Sequence, residues 1–313
     1  MKTILTDLLI CPACLPQENE LACDIMEKHG EDVWYGSLLC GRCRARYPIQ
    51  DGIVSLLSSS CPENNPAVSR YESATLISSY LWCHYADLLG DSDAVPAYME
   101  WAKFLDNYPG FSLDAGCAVG RFTFEMSKKS EFAIGIDSSY SFIRKARHLM
   151  INRKLDFSIP IEGMITEQQV IELPDTWSSK NVDFIVGDVQ RLPFRTNSFT
   201  SLASLNLVDK LPVPLDHLKE MNRVARKKNA QLLFSDPFSW TSEFASEENW
   251  LGGTIKGPYP GNGFDNIIKL FTGKGSELMP LWVLEKKGHI WWKIRNHRNH
   301  FELIRSCFIK AER

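Results

Sequence analysis

The stretch Leu113-Asp-Ala-Gly-Cys-Ala-Val-Gly-Arg-Phe122 constrains this chain more than any other. It reads as the end of a buried strand, a turn of small residues and the first turn of a helix. Gly116 and Gly120 can take backbone angles closed to larger residues, so the chain can double back tightly there. Small side chains let a ligand approach the backbone, and unpaired amide N–H groups at the helix start are expected to point at it. From Phe111 onward strand and helix patterns alternate. Strands are expected at 111–115, 132–137, 183–188, 198–205 and 231–235, with helices at 119–128, 139–151 and 214–225. The segment 153–181 reads as a long insertion of low regularity, and strands at about 281–286 and 301–311 are expected to add the last edge. Such alternation implies an α/β fold, a largely parallel, doubly wound, Rossmann-like sheet with helices on both faces.

A sheet of this kind holds its ligand at the carboxyl ends of its strands. Asp114, Asp137 and Asp188 end the first three strands, Asn206 and Asp209 follow the fourth, and Asp236 follows the fifth. Asp137 lies 17 residues past Gly120, a spacing suited to a carboxylate gripping ribose hydroxyls. A dinucleotide and S-adenosylmethionine both fit a glycine turn with a ribose carboxylate. The dinucleotide fingerprint needs glycines where Ala118 and Arg121 stand. An acidic residue opening the turn suits a ligand with an amino-acid cation, which favours S-adenosylmethionine.

The N-terminal region carries a separate signal. Cys11-Pro-Ala-Cys14 and Cys40-Gly-Arg-Cys43 have the spacing of a zinc ribbon, in which two knuckles each aim two thiolates at one ion. Cys11, Cys14, Cys40 and Cys43 are the expected ligands of a structural Zn²⁺, and Cys23 fits neither knuckle. No apolar run reaches the ~18–20 residues of a membrane span. The start, with Asp7 inside its apolar run, is not a signal peptide. A cytoplasmic, reducing setting follows as an expectation, with the nine cysteines as metal ligands or core thiols rather than disulfides. Residues 58–70 read as a linker. Helices are expected from Tyr71 to about Leu89 and from about Ala94 to Leu105, dense in Tyr80, Trp82, His84 and Tyr85. Those rings pack a core or seam, unless His84 or Tyr85 lids the ligand site. The expected division is 1–57 for the ribbon, 58–110 for linker and N-terminal helices, and 111–313 for the ligand-binding sheet.

Residues 4–57 resemble the small zinc-ribbon domains fused to, or partnering with, many methyltransferases, through the opening Cys-Pro-x-Cys knuckle and the closing Tyr47-Pro-Ile-Gln-Asp-Gly-Ile53. Asp114-Ala-Gly-Cys-Ala-Val-Gly-Arg121 resembles the first motif of class I S-adenosylmethionine-dependent methyltransferases. That resemblance implies cofactor binding by Asp114, Gly116, Cys117, Gly120, Asp137, Asp188 and Val189, with Asp188 bordering the adenine. It also implies that the loop Asn206-Leu-Val-Asp209 lines the methyl-transfer pocket. A narrower likeness rests on Asn206-Leu-Val-Asp-Lys-Leu-Pro212, Ser235-Asp-Pro-Phe-Ser-Trp240, Glu248-Asn-Trp-Leu-Gly-Gly253 and Ile294-Arg-Asn-His-Arg298. These are similar to the C-terminal methyltransferase domain of ovothiol biosynthesis, which implies N-methylation of a mercapto-histidine ring.

On this reading Asn206 and Asp209 are the candidate catalytic residues, accepting the hydrogen bond that selects the acceptor's tautomer. Trp240 and Trp250 are expected to wall the substrate pocket, and Arg295 or Arg298 to hold a substrate carboxylate. A small-molecule acceptor is expected ahead of nucleic acid or protein, with no membrane partner. The alternatives are an RNA or protein methyltransferase docked through its ribbon, and a non-catalytic module that keeps the fold as a scaffold. The C-terminal stretch from Lys286 to Arg313 holds eight Lys/Arg against two Asp/Glu, which favours RNA weakly, while the net charge of −3 weighs against it.

Overall fold

The computed structural model describes residues 1–57, 71–273 and 276–313; the expected linker at 58–70 lies outside the described residues. The first unit is a four-stranded antiparallel sheet, β1 (Leu21–His29), β2 (Asp32–Cys40), β3 (Arg46–Gln50) and β4 (Ile53–Val54), paired in chain order. Its knuckles sit at the short 3₁₀ turn Pro12–Cys14 and in the loop between β2 and β3. Two helices follow, α1 (Ala74–Tyr85) and α2 (Ala97–Ala102). Both are shorter than their apolar spacing predicts. The Ser73 side chain accepts from the Leu76 amide and so starts α1.

The large sheet comprises β5 (Phe111–Ala115), β6 (Phe132–Asp137), β9 (Val182–Val186), β10 (Phe199–Leu205), β11 (Gln231–Asp236), β12 (Val283–His297) and β13 (His300–Glu312). Its order is β12-β13-β11-β10-β5-β6-β9. The strands from β11 to β9 are parallel, and the C-terminal hairpin runs antiparallel beside β11. Helices α3 (Arg121–Ser127), α4 (Tyr140–Asn152) and α5 (Pro214–Val224) make the crossovers, and α6 (Gly263–Thr272) precedes the hairpin. The parallel strands are buried on both faces, which is why they read as continuous apolar runs.

Two expectations need correction. The supposedly irregular insertion carries a hairpin, β7 (Lys154–Glu162) and β8 (Ile165–Glu172). Leu155, Phe157 and Ile159 are buried in alternation with more exposed neighbours, a period of two. The C-terminal strands are also far longer than expected. The stretch His289–His297 continues β12, turning Ile290 and Trp292 inward while Trp291 stays 49% exposed.

The ribbon is fused to the edge of the large sheet. The Leu56 amide donates to Val186 O at 2.8 Å, and the Ile10 amide donates to Pro193 O at 2.9 Å. The Lys2 amide donates to Asp183 Oδ2 at 2.6 Å. Buried Arg147 on α4 pairs with Asp183 and, at 2.9 Å, with Asp32 of β2. Leu9, Tyr47, Ile49 and Val54 share one hydrophobic core with Ile134, Ile136 and Ile185. Losing one member of such a buried ion cluster costs about 3–5 kcal/mol, because the others stay buried unpaired. Among the described residues no helix is long and apolar enough to cross a membrane.

Candidate active site

A cavity of about 240 Å³ opens at the carboxyl ends of β5, β6, β9 and β10. The turn after β5 shapes its floor. Gly116 has φ +77° and Gly120 φ +86°, and a Cβ at either would come within 2.7 Å of Leu207 or Phe184. Here the structure corrects the sequence. Four amides of this turn are spent inside the protein. Those of Gly116 and Cys117 both donate to Ile136 O, at 2.8 and 3.1 Å, and that of Gly120 to Cys117 O at 2.9 Å. The Ala118 amide donates to Asp137 Oδ2 at 2.9 Å.

The acids at the strand ends are held in place. Asp137 also accepts from the Ser139 amide at 2.9 Å, and Asp114 accepts from the Thr123 hydroxyl at 2.7 Å. Asp188 accepts from the Gln190 amide at 2.8 Å. Burial pushes the Asp114 carboxyl up to about 7, Thr123 pulling it down and the charge of Asp137 adding to the rise. Burial likewise lifts Asp137 to about 6 against the amide bonds from Ser139 and Ala118. Both carboxyls therefore favour a cationic ligand that would restore their charge.

Asp114, Gly116, Cys117, Asp137, Asp188 and Val189 all line the cavity. Gly120 does not, and serves the turn instead. Asn206 lines it too, with φ +56° and its amide Oδ1 and Nδ2 buried without a partner among the described residues. Asp209 is not brought there. Its carboxylate accepts from the Ser239 amide at 2.8 Å and from Lys210 at 3.3 Å. Its own amide donates to Asp236, whose carboxyl burial and the Asp209 charge push well above the usual carboxylate range. Asp209 thus ties the loop after β10 to the loop after β11, and it is Lys210 that reaches the cavity.

The four expected substrate residues also lie elsewhere. Trp240 and Trp250 stack on each other at 6.3 Å, and Trp240 faces a separate open groove with Phe238, His289 and Cys307. Arg295 is buried against Asp91 at 3.5 Å and Glu167 at 3.1 Å, and Arg298 pairs with the same Glu167 at 3.1 Å. Neither arginine lines the cavity. In their place the cavity receives Tyr71, Tyr80 and His84 from the α1 region, Tyr98 from α2, Trp292 from β12, and Phe244. The aromatic density of 80–85 was the sequence signal for this wall. His84 faces the cavity, whereas Tyr85 turns to donate to Val119 O at 2.9 Å.

The second ligand site is in the ribbon. The sulfur atoms of Cys11, Cys14, Cys40 and Cys43 lie within 4.8 Å of one another, with Cys11–Cys43 at 3.5 Å and Cys14–Cys40 at 3.8 Å. Four thiolates about 2.3 Å from a central zinc stand about 3.8 Å apart, so the donor set fits that ion and leaves no position open. Cys23 is outside the cluster.

Residues 113–232 match the family model described as a methyltransferase domain, and residues 2–52 match that of Trm112p-like proteins. The chain carries an S-adenosylmethionine-dependent methyltransferase domain. Its class I domain follows a Trm112-like zinc ribbon. No curated protein matches this methyltransferase. Among solved structures, a Pyrococcus horikoshii protein is 18% identical, with a TM-score of 0.41 over 69% of this chain and 87% of its own. An S-adenosylmethionine-dependent methyltransferase from Methanosarcina mazei is 17% identical, with a TM-score of 0.43 over 67% and 95%. A complex of the Haloferax volcanii Trm112 methyltransferase activator with a methyltransferase gives 15% identity and a TM-score of 0.35 over 51% and 60%.

Proposed function

We propose that this methyltransferase acts on a nitrogen of a small histidine-derived or other thiol-bearing metabolite. The observation that carries the reading is the cavity wall. Tyr80, His84, Tyr98 and Trp292 come from outside the matched methyltransferase segment and surround the site with rings. Such a wall stacks on a planar acceptor and favours positive charge developing on it.

When bound, S-adenosylmethionine supplies an electrophilic methyl group. Asp137 would hold its ribose, Asp188 and Val189 would border the adenine, and Asp114 and Gly116 would face the amino-acid portion. The remaining task of the protein is to hold the nucleophile in line at about 3–3.5 Å. An imidazole of pKa about 6.5 is largely neutral at pH 7 and needs orientation more than a base. The free amide of Asn206 can give that orientation. Asp209 acts behind it, fixing the loop and Lys210, and Trp240, Trp250, Arg295 and Arg298 take no part in binding the acceptor.

The test is incubation of the full chain with methyl-labelled S-adenosylmethionine against a metabolite extract and, separately, total RNA and total protein. Label in the metabolite fraction supports the reading. Label confined to RNA or protein overturns it and favours the second reading, a macromolecular substrate docked through the ribbon, which draws on the Trm112p-like match.

A further inference from the structure

We propose that His84 is the hydrogen-bond donor that holds the carboxylate of the cofactor's amino-acid tail, with its tautomer fixed by the hydroxyl of Tyr98. This rests only on the cofactor half of the reading above, not on the acceptor. The need for such a donor comes from the charges of the cofactor. S-adenosylmethionine brings a sulfonium, an ammonium and a carboxylate. Asp114, Asp137 and Asp188 answer cations and hydroxyls but repel a carboxylate. The amides of Gly116, Cys117, Ala118 and Gly120 are bonded within the protein and are not available to it. Lys210 is held by Asp209 and lies over the Phe244 ring at 5.1 Å.

His84 meets the need. It is 5% exposed and forms part of the cavity wall. Its Nε2 is 2.7 Å from the Tyr98 hydroxyl. Burial lifts the Tyr98 phenol well above its ordinary range, so its proton stays on, and in the proposed pairing that hydroxyl donates to Nε2. The ring hydrogen then sits on Nδ1. That Nδ1 has no partner among the described residues. His217, the other buried histidine, shows what a structural one looks like here. Both its nitrogens are used, Nε2 with Ser204 at 2.9 Å and Nδ1 with Val189 O at 3.2 Å.

The position is also right. Tyr85, the next residue, pins this end of α1 to Val119 in the turn, and the charge of Asp114 reaches Tyr98. Burial, and then the buried Arg121 guanidinium, push His84 down to about 3, so it donates as a neutral ring.

Calorimetry on the full chain with S-adenosylmethionine and with decarboxylated S-adenosylmethionine tests this without any acceptor. The wild type should prefer the carboxylated form by about tenfold or more, the worth of a hydrogen bond to a charged group. His84→Phe should erase that preference by weakening S-adenosylmethionine alone. His84→Asn, which keeps a donor near the Nδ1 position, should restore part of it. Tyr98→Phe should reduce it and keeps the test open if His84→Phe fails to fold. Equal loss for both ligands, or none for either, overturns the inference. A wild type that binds neither ligand would break the cofactor reading itself.

Discussion

In the ribbon, four sulfur atoms within 4.8 Å of one another face inward with Tyr47 3.2 Å from Cys11. In the cavity, Asp114, Asp137 and Asp188 each already hold a protein donor. The first site is assembled by its ligand, since clustered thiolates repel until an ion stands between them. The second is assembled by the protein, and its ligand arrives at carboxylates that are already aimed. One ligand is therefore part of the fold and the other is a visitor. The contrast also separates two kinds of unfinished polar group. The cysteines are all incomplete together, whereas among the described cavity-lining residues Asn206 and His84 hold buried side-chain atoms without a partner.

The sharpest way to break this comparison is to remove both ligands in turn. Stripping zinc, or Cys40→Ser, should unfold the ribbon and expose the amides of Ile10 and Leu56, read as lost hydrogen-exchange protection; structural zinc contributes about 10–16 kcal/mol in small modules. Withdrawing the cofactor should leave exchange in the large sheet unchanged. Protection that survives chelation would refute the contrast. Next in size, Asp137→Ala should weaken S-adenosylmethionine about 100-fold by calorimetry while moving the melting temperature of the ligand-free protein by no more than about 2 °C. A collapse in melting temperature would make that carboxylate structural. Asn206→Ala should lower turnover of the labelled fraction about 10-fold or more with cofactor affinity within about twofold, an orienting effect rather than a binding one.

The smallest expected effect is in pH. The raised carboxyls of Asp114, about 7, and Asp137, about 6, lose their charge as pH falls through those values. A cationic ligand then loses its partners, so affinity should drop from pH 8 to pH 5.5. The ligand-free protein moves the other way. A carboxyl raised above its unfolded value near 3.8 stabilises the fold fully below that value, and this stability is lost as pH rises through 6–7. The melting shift produced by S-adenosylmethionine should accordingly shrink as pH falls. A shift independent of pH would mean that the two carboxylates do not meet the cation.

Much of this was legible in the sequence because it is local. Two CxxC pairs announce a metal site at any fold distance. Strand, glycine turn and helix over 113–122 announce the turn that floors the cavity, and the strand-end acids follow in phase. What was hidden depends on which atoms are left over after folding. Nothing in the sequence tells that Ile136 O would consume the amides of Gly116 and Cys117. Nor does it tell that Glu167, on a hairpin concealed by its period of two, would capture Arg295 and Arg298. Asp209 looked like an active-site acid by its place after a strand, yet its carboxylate faces Ser239. The aromatic wall was visible only as a crowd of rings, because a buried ring in a core and one lining a cavity share the same helical spacing.

A single parallel bridge, with the Leu56 amide donating to Val186 O, ties the ribbon to the edge strand of its neighbour's sheet. With Lys2, Ile10, Arg147 and a shared core also crossing the junction, covalent continuity adds little to what already binds the pieces. A chain severed between residues 57 and 71 would behave as a two-subunit enzyme. Its small zinc-bearing subunit would be the template on which the edge of the larger one is completed.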